Sequence, residues 1–448
     1  MNSKQVNRHP QSSLSTRIGQ DENQQYDIHL HTVMNTPSIN KHTLPNGLRI
    51  VHIKDTSTQM ATMNILYNVG SKHEHPDKTG FAHLFEHLMF GGSQNIPDYD
   101  SPLQLASGTN NAYTTADYTN YYLTLPACNI ETAFWLESDR MASLAFTPDS
   151  LEVQRKVVME EFKQHYITPP YGDIAHLINA LAYQRHHYSW PTIGKELSHI
   201  ANVSMEEVKD FFFRFYAPNN AVMSIVGNIE MDEVVRLATQ WFGPIPRRLI
   251  DTTSFPQEPL QTERRCLRVN RPVPGSVLYM AFHIAGMMDT RFHACDMISD
   301  ILSAGRSCRL NHHLVEQQHI FTSIDAYIQP RIDTGLLFIC GMPSEGVSLE
   351  EAEESVWREV DLLLRDGITD DELAKVKNKF ETTRSTELLN RQKLAANLAF
   401  YENFASAERT FNETSLYLST TRQQFMDVCS EVMKREKANV LQYEAENI

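Results

Sequence analysis

Phe81-Ala-His-Leu-Phe-Glu-His-Leu-Met-Phe90 is the most informative segment of this 448-residue chain. Its apolar residues recur at helical spacing, which predicts a helix with one face in the core. His83 and His87 are four residues apart, so both imidazoles lie on one face of that helix and can bind one metal ion. Glu86 lies between them, where its carboxylate can take a proton from a water bound to that ion.

A purely structural helix is the alternative explanation of this segment, with its histidines as ordinary polar groups of the interior. Two imidazoles and a carboxylate on so apolar a helix are costly to bury unless a partner compensates them. A metal ion is the simplest such partner. The order H-x-x-E-H is also the reverse of the common zinc hydrolase motif H-E-x-x-H, so the segment favours a zinc site.

A third metal ligand is available in residues 151–165, which have helical spacing and contain two adjacent acids. One of these carboxylates would complete a site of two histidines and one carboxylate. That site would leave a position open for water, as catalytic zinc sites do. The six cysteines have no C-x-x-C spacing and offer no competing metal site.

From about residue 40 onward the sequence resembles the pitrilysin and mitochondrial processing peptidase family of zinc peptidases. The resemblance rests on residues 42–51, 80–92, 110–115, 155–161, 215–220 and 226–229. It implies that His83 and His87 bind zinc, one Zn²⁺ per chain, and that Glu86 is the general base. It also implies that Glu161 is the third ligand, with Glu160 as the alternative.

The resemblance further implies how a peptide substrate is held. Asn111 and Ala112 match the segment that pairs with the substrate backbone, so the peptide would add to the sheet as a β-strand. Many relatives have a glutamate seven residues before the third ligand, and this chain has Gln154 there. That change lies outside the ligands, where side chains tune a metal site rather than form it.

The second half of the chain departs from the family at two positions. Within residues 304–324, active single-chain members have an arginine and, seven residues later, a tyrosine, and both reach the substrate. Here the matching residues are Val315 and Thr322, which cannot donate a charge-assisted hydrogen bond. The pattern resembles the catalytic chain of the family's two-subunit members, whose homologous non-catalytic partner supplies the pair. A homodimer is the alternative.

The alternative is that the alignment with the family is locally wrong and that other residues take the place of the arginine and the tyrosine. Four side chains near these positions have suitable chemistry, namely Arg306, Arg309, Tyr327 and Arg331.

The length of the chain exceeds the size at which single cores stop growing, so two domains are expected. The resemblance implies an α+β fold with two homologous α/β domains, each a mainly antiparallel sheet flanked by helices, arranged as half of a clamshell. The predicted division is a flexible tail over residues 1–40, a zinc-binding domain over 41–245, a linker over 246–260 and a second domain over 261–448.

Composition excludes several functional classes. The formal net charge of −15 argues against nucleic acid as a partner, because nucleic acid selects for basic surfaces. No apolar run is long enough for a membrane span. The first 40 residues lack an apolar segment, which predicts no secretory signal, and the scattered cysteines suit a reducing compartment. A cytoplasmic location is therefore expected, with the periplasm or an organelle matrix as alternatives.

These features together predict a zinc metalloendopeptidase that hydrolyses short or unfolded peptides within an enclosed chamber, as the catalytic subunit of a pair. The alternative is a non-catalytic family member that serves as a structural or peptide-binding subunit. Such members have usually lost part of the zinc motif, whereas this chain retains all of it.

Overall fold

The computed structural model of the protein describes residues 37–250 and 255–446. The predicted tail over residues 1–40 lies outside the described residues except for its last four, and Asn40 already begins the first strand. Residues 251–254 of the predicted linker lie outside them as well. The predicted domain boundaries therefore stay a prediction.

Eleven strands are present in the described residues. They are β1 (Asn40–Thr43), β2 (Arg49–Lys54), β3 (Met60–Tyr67), β4 (Thr109–Thr114), β5 (Thr119–Pro126), β6 (Ala221–Gly227), β7 (Arg265–Arg271), β8 (Val277–Ile284), β9 (Phe321–Gln329), β10 (Gly335–Pro343) and β11 (Ala438–Ala445). The alternating sequence of residues 48–53 predicts a strand, as does the sequence of residues 60–67, and these strands are β2 and β3.

Fourteen α-helices lie in the same described ranges. They are α1 (Phe81–Leu88), α2 (Asp100–Leu105), α3 (Ile130–Ala142), α4 (Pro148–Phe162), α5 (Ile174–Ala182), α6 (Leu197–Ala201), α7 (Met205–Phe215), α8 (Met231–Trp241), α9 (Phe292–Ser303), α10 (Leu349–Asp366), α11 (Asp370–Leu389), α12 (Arg391–Phe404), α13 (Arg409–Ser419) and α14 (Arg422–Val432). The apolar spacing of residues 205–216 and of residues 348–365 predicts two helices, and these are α7 and α10.

The strands form two mainly antiparallel sheets with the same topology. The first sheet has the order β1-β2-β6-β3-β5-β4 and the second has the order β7-β11-β8-β10-β9. Without β1, both follow one pattern: the first and last strands of each half are parallel neighbours, and the third strand lies at the edge. Helices flank both sheets, so the predicted α+β class with two homologous halves is confirmed. The topology reveals a duplication that the sequence alone did not make visible.

The inner face of the first sheet packs against the helix that carries the H-x-x-E-H motif. Side chains that alternate along each strand point to opposite faces. On one face, Met63 and Ile65 of β3 share a core with Leu84 and Phe85 of α1. The ring of Phe85 also stacks on Phe211 of α7 at a centroid distance of 5.0 Å. The apolar side of α1 is therefore fixed by a sheet and a second helix.

The other face of the first sheet is covered by a helix from the second half of the chain. Helix α12 packs its Leu394 and Leu398 against Val51 and Leu66, which point away from α1. The Ser224 hydroxyl of β6 donates a 2.6 Å hydrogen bond to the carbonyl of Ala395 in α12. A helix from the second half of the chain thus covers the face of the first sheet that points away from α1.

The second sheet receives a helix from the first half in the same manner. Helix α5 packs Ile174 and Ile178 against Phe338 of β10 and Leu441 of β11. Both α5 and α12 are the third α-helix after the fourth strand of their half. We call this reciprocal arrangement of α5 and α12 the helix exchange. It joins the two sheets into one compact unit.

No helix in the described part of the chain is both long and apolar enough to cross a membrane.

Candidate metal centre

Helix α1 turns three polar side chains away from the core. Its buried residues are Phe81, Ala82, Leu84, Phe85 and Leu88. The side chains of His83, Glu86 and His87 retain 20 %, 17 % and 20 % of their exposure. The helix therefore divides as predicted, with an apolar face in the core and the motif on a partly open face.

Three donor groups converge beside this face. The Nε2 atom of His83 lies 3.0 Å from Oε2 of Glu161, and Nε2 of His87 lies 3.4 Å from the same oxygen. One donor atom of each residue can be chosen so that all three lie within 4.8 Å of one another. We call His83, His87 and Glu161 the metal centre.

The geometry of the metal centre fits zinc. Zinc binds imidazole nitrogen and carboxylate oxygen at about 2.0–2.2 Å, so donors on a tetrahedral ion lie roughly 3.3–3.5 Å apart. The observed separations of 3.0 and 3.4 Å are close to that value. The donor set is also the two-histidine, one-glutamate set of catalytic zinc sites, which leaves one position for water. Metal binding itself stays a prediction.

The two acids at the end of α4 have different surroundings. The carboxylate of Glu161 faces the two imidazoles, whereas Glu160 is an exposed residue whose Oε1 accepts a 2.6 Å hydrogen bond from Lys163. The helix begins at Pro148 after the Thr147 hydroxyl, which accepts a hydrogen bond from the Ser150 N–H. The structure thus brings Glu161 to the histidines and leaves Glu160 outside.

The surroundings of Glu161 and His87 shift the pKa values of both groups. The hydrogen bond with His83, and the charges of the nearby imidazoles, hold the pKa of Glu161 below its usual value. Burial lowers the pKa of His87, and the neighbouring His83 acts in the same direction. A carboxylate that stays ionised beside an imidazole that stays neutral is the combination a divalent cation requires.

The carboxylate of Glu86 is held by a residue that the sequence did not single out. The hydroxyl of Thr114, at the end of β4, donates a 2.6 Å hydrogen bond to Oε2 of Glu86. Nδ1 of His83 lies 3.8 Å from the same oxygen. The second carboxylate oxygen of Glu86 is thereby left for a proton transfer. The signal for Thr114 is tertiary, because 28 residues separate the two side chains.

Gln154 contacts a member of the metal centre. Its side chain acts to raise the pKa of His87, against the lowering that burial causes. A neutral amide at this position can still orient the imidazole ring, although it carries no charge to strengthen the contact.

Asn111 and Ala112 lie on the edge strand next to α1. Among the described strands, β4 pairs only with β5, so its other edge has no strand partner. The Asn111 side chain is exposed and its Oδ1 accepts a hydrogen bond from the Ala112 N–H at 2.8 Å. Ala112 packs against the first core on the side of α1. The assignment of both to substrate binding stays a prediction.

Val315 and Thr322 form ordinary structural contacts in the second half. Val315 packs against the core of the second sheet. The Thr322 hydroxyl donates a 3.0 Å hydrogen bond to the carbonyl of Met342. Neither side chain brings a charge or an acidic hydroxyl to the positions where the family resemblance implies an arginine and a tyrosine.

Two of the four alternative residues are engaged elsewhere. The guanidinium of Arg309 forms hydrogen bonds with both carboxylate oxygens of Glu372, at 2.7 and 2.9 Å. The guanidinium of Arg331 lies 5.2 Å from the centre of the Tyr188 ring. Recruiting Arg309 to a substrate would leave Glu372 without its main partner.

The other two are more accessible. Arg306 is exposed in the loop after α9, and Tyr327 is 42 % exposed on β9 with its ring stacked on Phe338. Within the described residues, no hydrogen bond or ion pair joins any of the four to the metal centre.

The helix of the second half that corresponds to α1 has no equivalent metal-binding motif. In the first half, α1 and the short α2 lie between β3 and the edge strand β4. In the second half, α9 lies between β8 and the edge strand β9, so α9 corresponds to α1. Its sequence, FHACDMISDILS, contains one histidine and no second imidazole four residues away. Among the described residues, the candidate metal centre of the duplicated fold therefore lies in the first half.

Comparison with known proteins gives an independent result. The profile described as insulinase (peptidase family M16) matches residues 49–196, and the profile described as peptidase M16 inactive domain matches residues 202–380. The zinc protease PqqE of Helicobacter pylori is 27 % identical over 357 residues, which are 78 % of this chain and 80 % of that protein.

Solved structures agree on the fold. The crystal structure of a protease from Helicobacter pylori superposes with a TM-score of 0.84 at 24 % identity, covering 91 % of this chain and all of that one. Pitrilysin superposes with a TM-score of 0.73 at 18 % identity, covering 91 % of this chain but only 45 % of pitrilysin. The two M16 profiles together span most of the sequence, and the chain therefore belongs to peptidase family M16, the insulinase family.

Proposed function

We propose that this chain is a zinc metalloendopeptidase that hydrolyses short or unfolded peptides. The observation that carries the proposal is the convergence of three zinc-type donors with a carboxylate, Glu86, on the same helix face. Relatives named zinc proteases support it, including that of Helicobacter pylori.

Each residue of the site has a distinct task in this proposal. His83, His87 and Glu161 would hold one zinc ion, which supplies a Lewis acid for the scissile carbonyl and lowers the pKa of water. Glu86 would accept the proton of the attacking water on its carboxylate and pass it to the leaving amine. Thr114 would orient Glu86 by occupying its Oε2 atom.

The open edge of β4 accounts for the substrate class. An extended peptide can pair with the unpartnered edge of this strand, beside α1. Backbone pairing requires a segment without secondary structure of its own, so folded proteins would be poor substrates. Asn111 and Ala112 lie on this edge and would align the peptide with the metal centre.

A fluorogenic peptide tests this function. We expect purified chain with one zinc ion to cleave an unstructured quenched peptide, to lose activity with a chelator and to regain it with Zn²⁺. A folded protein that contains the same sequence serves as the control and should resist cleavage. A purified chain that binds no zinc would instead favour a non-catalytic subunit.

We further propose that the chain acts with a homologous partner. It spans only 45 % of pitrilysin, so the single chain of pitrilysin contains about as much sequence again. Val315 and Thr322 are engaged in structural contacts where the resemblance implies a substrate-binding arginine and tyrosine. A homologous chain with that pair would supply both.

Adding such a chain tests the partnership. We expect a homologue that has the arginine and tyrosine but lacks the zinc motif to form a heterodimer, measured by native mass spectrometry, and to raise kcat/KM strongly. The same homologue with its arginine replaced by alanine is the matched control. Full activity of the isolated chain as a monomer would contradict the partnership, and full activity as a homodimer would replace the heterodimer.

A further inference from the structure

We propose that Glu74 is a positioning residue for the metal centre, acting as a remote N-terminal cap that holds α1 in place. The inference rests on the proposed function, because it concerns how the zinc ligands on α1 are oriented. Neither the motif nor any spacing in the sequence points to this residue, which lies nine positions before His83.

Helix α1 needs an external cap. It has only eight residues, and its N-cap residue is Gly80, which has no side chain and adopts a φ of 91°. The first N–H groups of an α-helix have no partner within the helix. Glu74 supplies one: its Oε2 accepts from the Gly80 N–H at 2.9 Å and its Oε1 accepts from the Ala82 N–H at 2.8 Å.

The carboxylate of Glu74 is enclosed. The residue is only 3 % exposed, and the Trp190 indole N–H donates a third hydrogen bond to Oε2 at 3.2 Å. Burial raises the pKa of Glu74 to about 8, and the N–H groups of α1 act against that rise. Both oxygens accept hydrogen bonds from N–H donors, which is the pattern an ionised carboxylate provides. A negative charge at a helix N-terminus is also favoured by the helix dipole.

The backbone that carries Glu74 is itself fixed. The ammonium of Lys72, two residues earlier, lies 2.8 Å from a carboxylate oxygen of Asp117 and 3.1 Å from one of Asp333. His187 Nδ1 forms a 2.7 Å hydrogen bond with the carbonyl of Lys72. Asp333 belongs to the loop between β9 and β10, so the second half of the chain helps to anchor the cap.

A cap at this place acts on the metal centre because the helix is short. His83 lies in the first turn of α1, directly after Ala82, whose N–H is bound by Glu74. Fraying or tilting of that turn would move the His83 imidazole away from Glu161, now 3.0 Å distant. Glu86 and His87 lie in the only other turn. If Glu74 has only a structural role, its replacement lowers the stability of the protein and nothing else. If Glu74 positions the ligands, its replacement also lowers zinc affinity.

Two variants and a matched control separate these roles. Glu74→Gln puts an amide NH₂ against N–H donors, and Trp190→Phe removes the indole N–H that the Glu74 carboxylate and the Ser71 carbonyl share. Glu353→Gln is the control, because Glu353 is also a buried glutamate, 8 % exposed, that accepts from an indole, that of Trp357 at 3.3 Å, but it lies in the second half. Hydrogen exchange of residues 80–90 in the zinc-free protein and zinc affinity by chelator competition are measured for each.

We expect Glu74→Gln to exchange the amides of residues 80–90 several-fold faster than the unmodified protein and to bind zinc about 10–100-fold more weakly. Trp190→Phe should shift both quantities in the same direction by less. Glu353→Gln should change neither. Unchanged exchange in α1, or faster exchange with unchanged zinc affinity, would overturn the proposal. If the unmodified chain binds no zinc at all, the proposed function fails, and a positioning role for Glu74 fails with it, while the exchange data still report the cap.

Discussion

Replacing Glu86 by glutamine is expected to abolish peptide hydrolysis while leaving one zinc ion bound. Glutamine has nearly the same shape and can still accept the hydrogen bond from Thr114, but it cannot accept a proton from water. A general base contributes about 10²–10⁴-fold to a rate, so kcat should fall by that factor. KM should change little, because the proposed substrate contacts lie on β4.

This expectation is checked by measuring the zinc content of the variant by mass spectrometry and its kcat and KM on the quenched peptide. Thr114→Ser is the matched companion, since it keeps a hydroxyl beside Glu86 and should retain most activity. A Glu86→Gln protein that contains zinc and cleaves at the original rate would remove Glu86 from the proton transfer.

Replacing Glu161 by glutamine is expected to have the largest effect on metal binding. The neutral amide is a much poorer zinc ligand than the carboxylate that faces the Nε2 atoms of His83 and His87. Loss of an outer-shell partner costs about 10–100-fold in zinc affinity, and loss of a direct ligand should cost more. Hydrolysis should fall with zinc occupancy and recover in part at high Zn²⁺ concentration.

Glu160→Gln provides a control that differs from this variant by one position. Glu160 is exposed and paired with Lys163, so its replacement should change stability by no more than about 0.5 kcal/mol and leave zinc affinity unchanged. The zinc affinities of the two variants, measured by chelator competition, decide which of the two glutamates is the third ligand. Weak zinc binding in Glu160→Gln with normal binding in Glu161→Gln would reverse the assignment of the third ligand.

The sequence predicted those parts of the site that depend on local periodicity. The spacing of His83 and His87 places them on one helix face whatever the surroundings, and the structure has that helix at Phe81–Leu88. The family resemblance implies Glu161 over Glu160, and adjacent residues on a helix point about 100° apart, so Glu161 lies beside the two imidazoles while Glu160 points elsewhere.

Contacts between segments that are distant in the sequence could not be predicted from the spacing of residues. Thr114 and Glu74 reach α1 only after the chain has folded, and no pattern of spacing records either contact. The helix exchange was likewise missed, because α5 and α12 have apolar faces that do not reveal which sheet they cover.

The helix exchange has a consequence for how the molecule assembles. A chain cut within residues 246–260 would give an N-terminal piece whose sheet has lost α12, with Val51 and Leu66 bare to water. The C-terminal piece would expose Phe338 and Leu441 in the same way. Neither piece can bury its apolar surface alone, so the halves should aggregate when made separately, and recover a soluble native form only when they refold together.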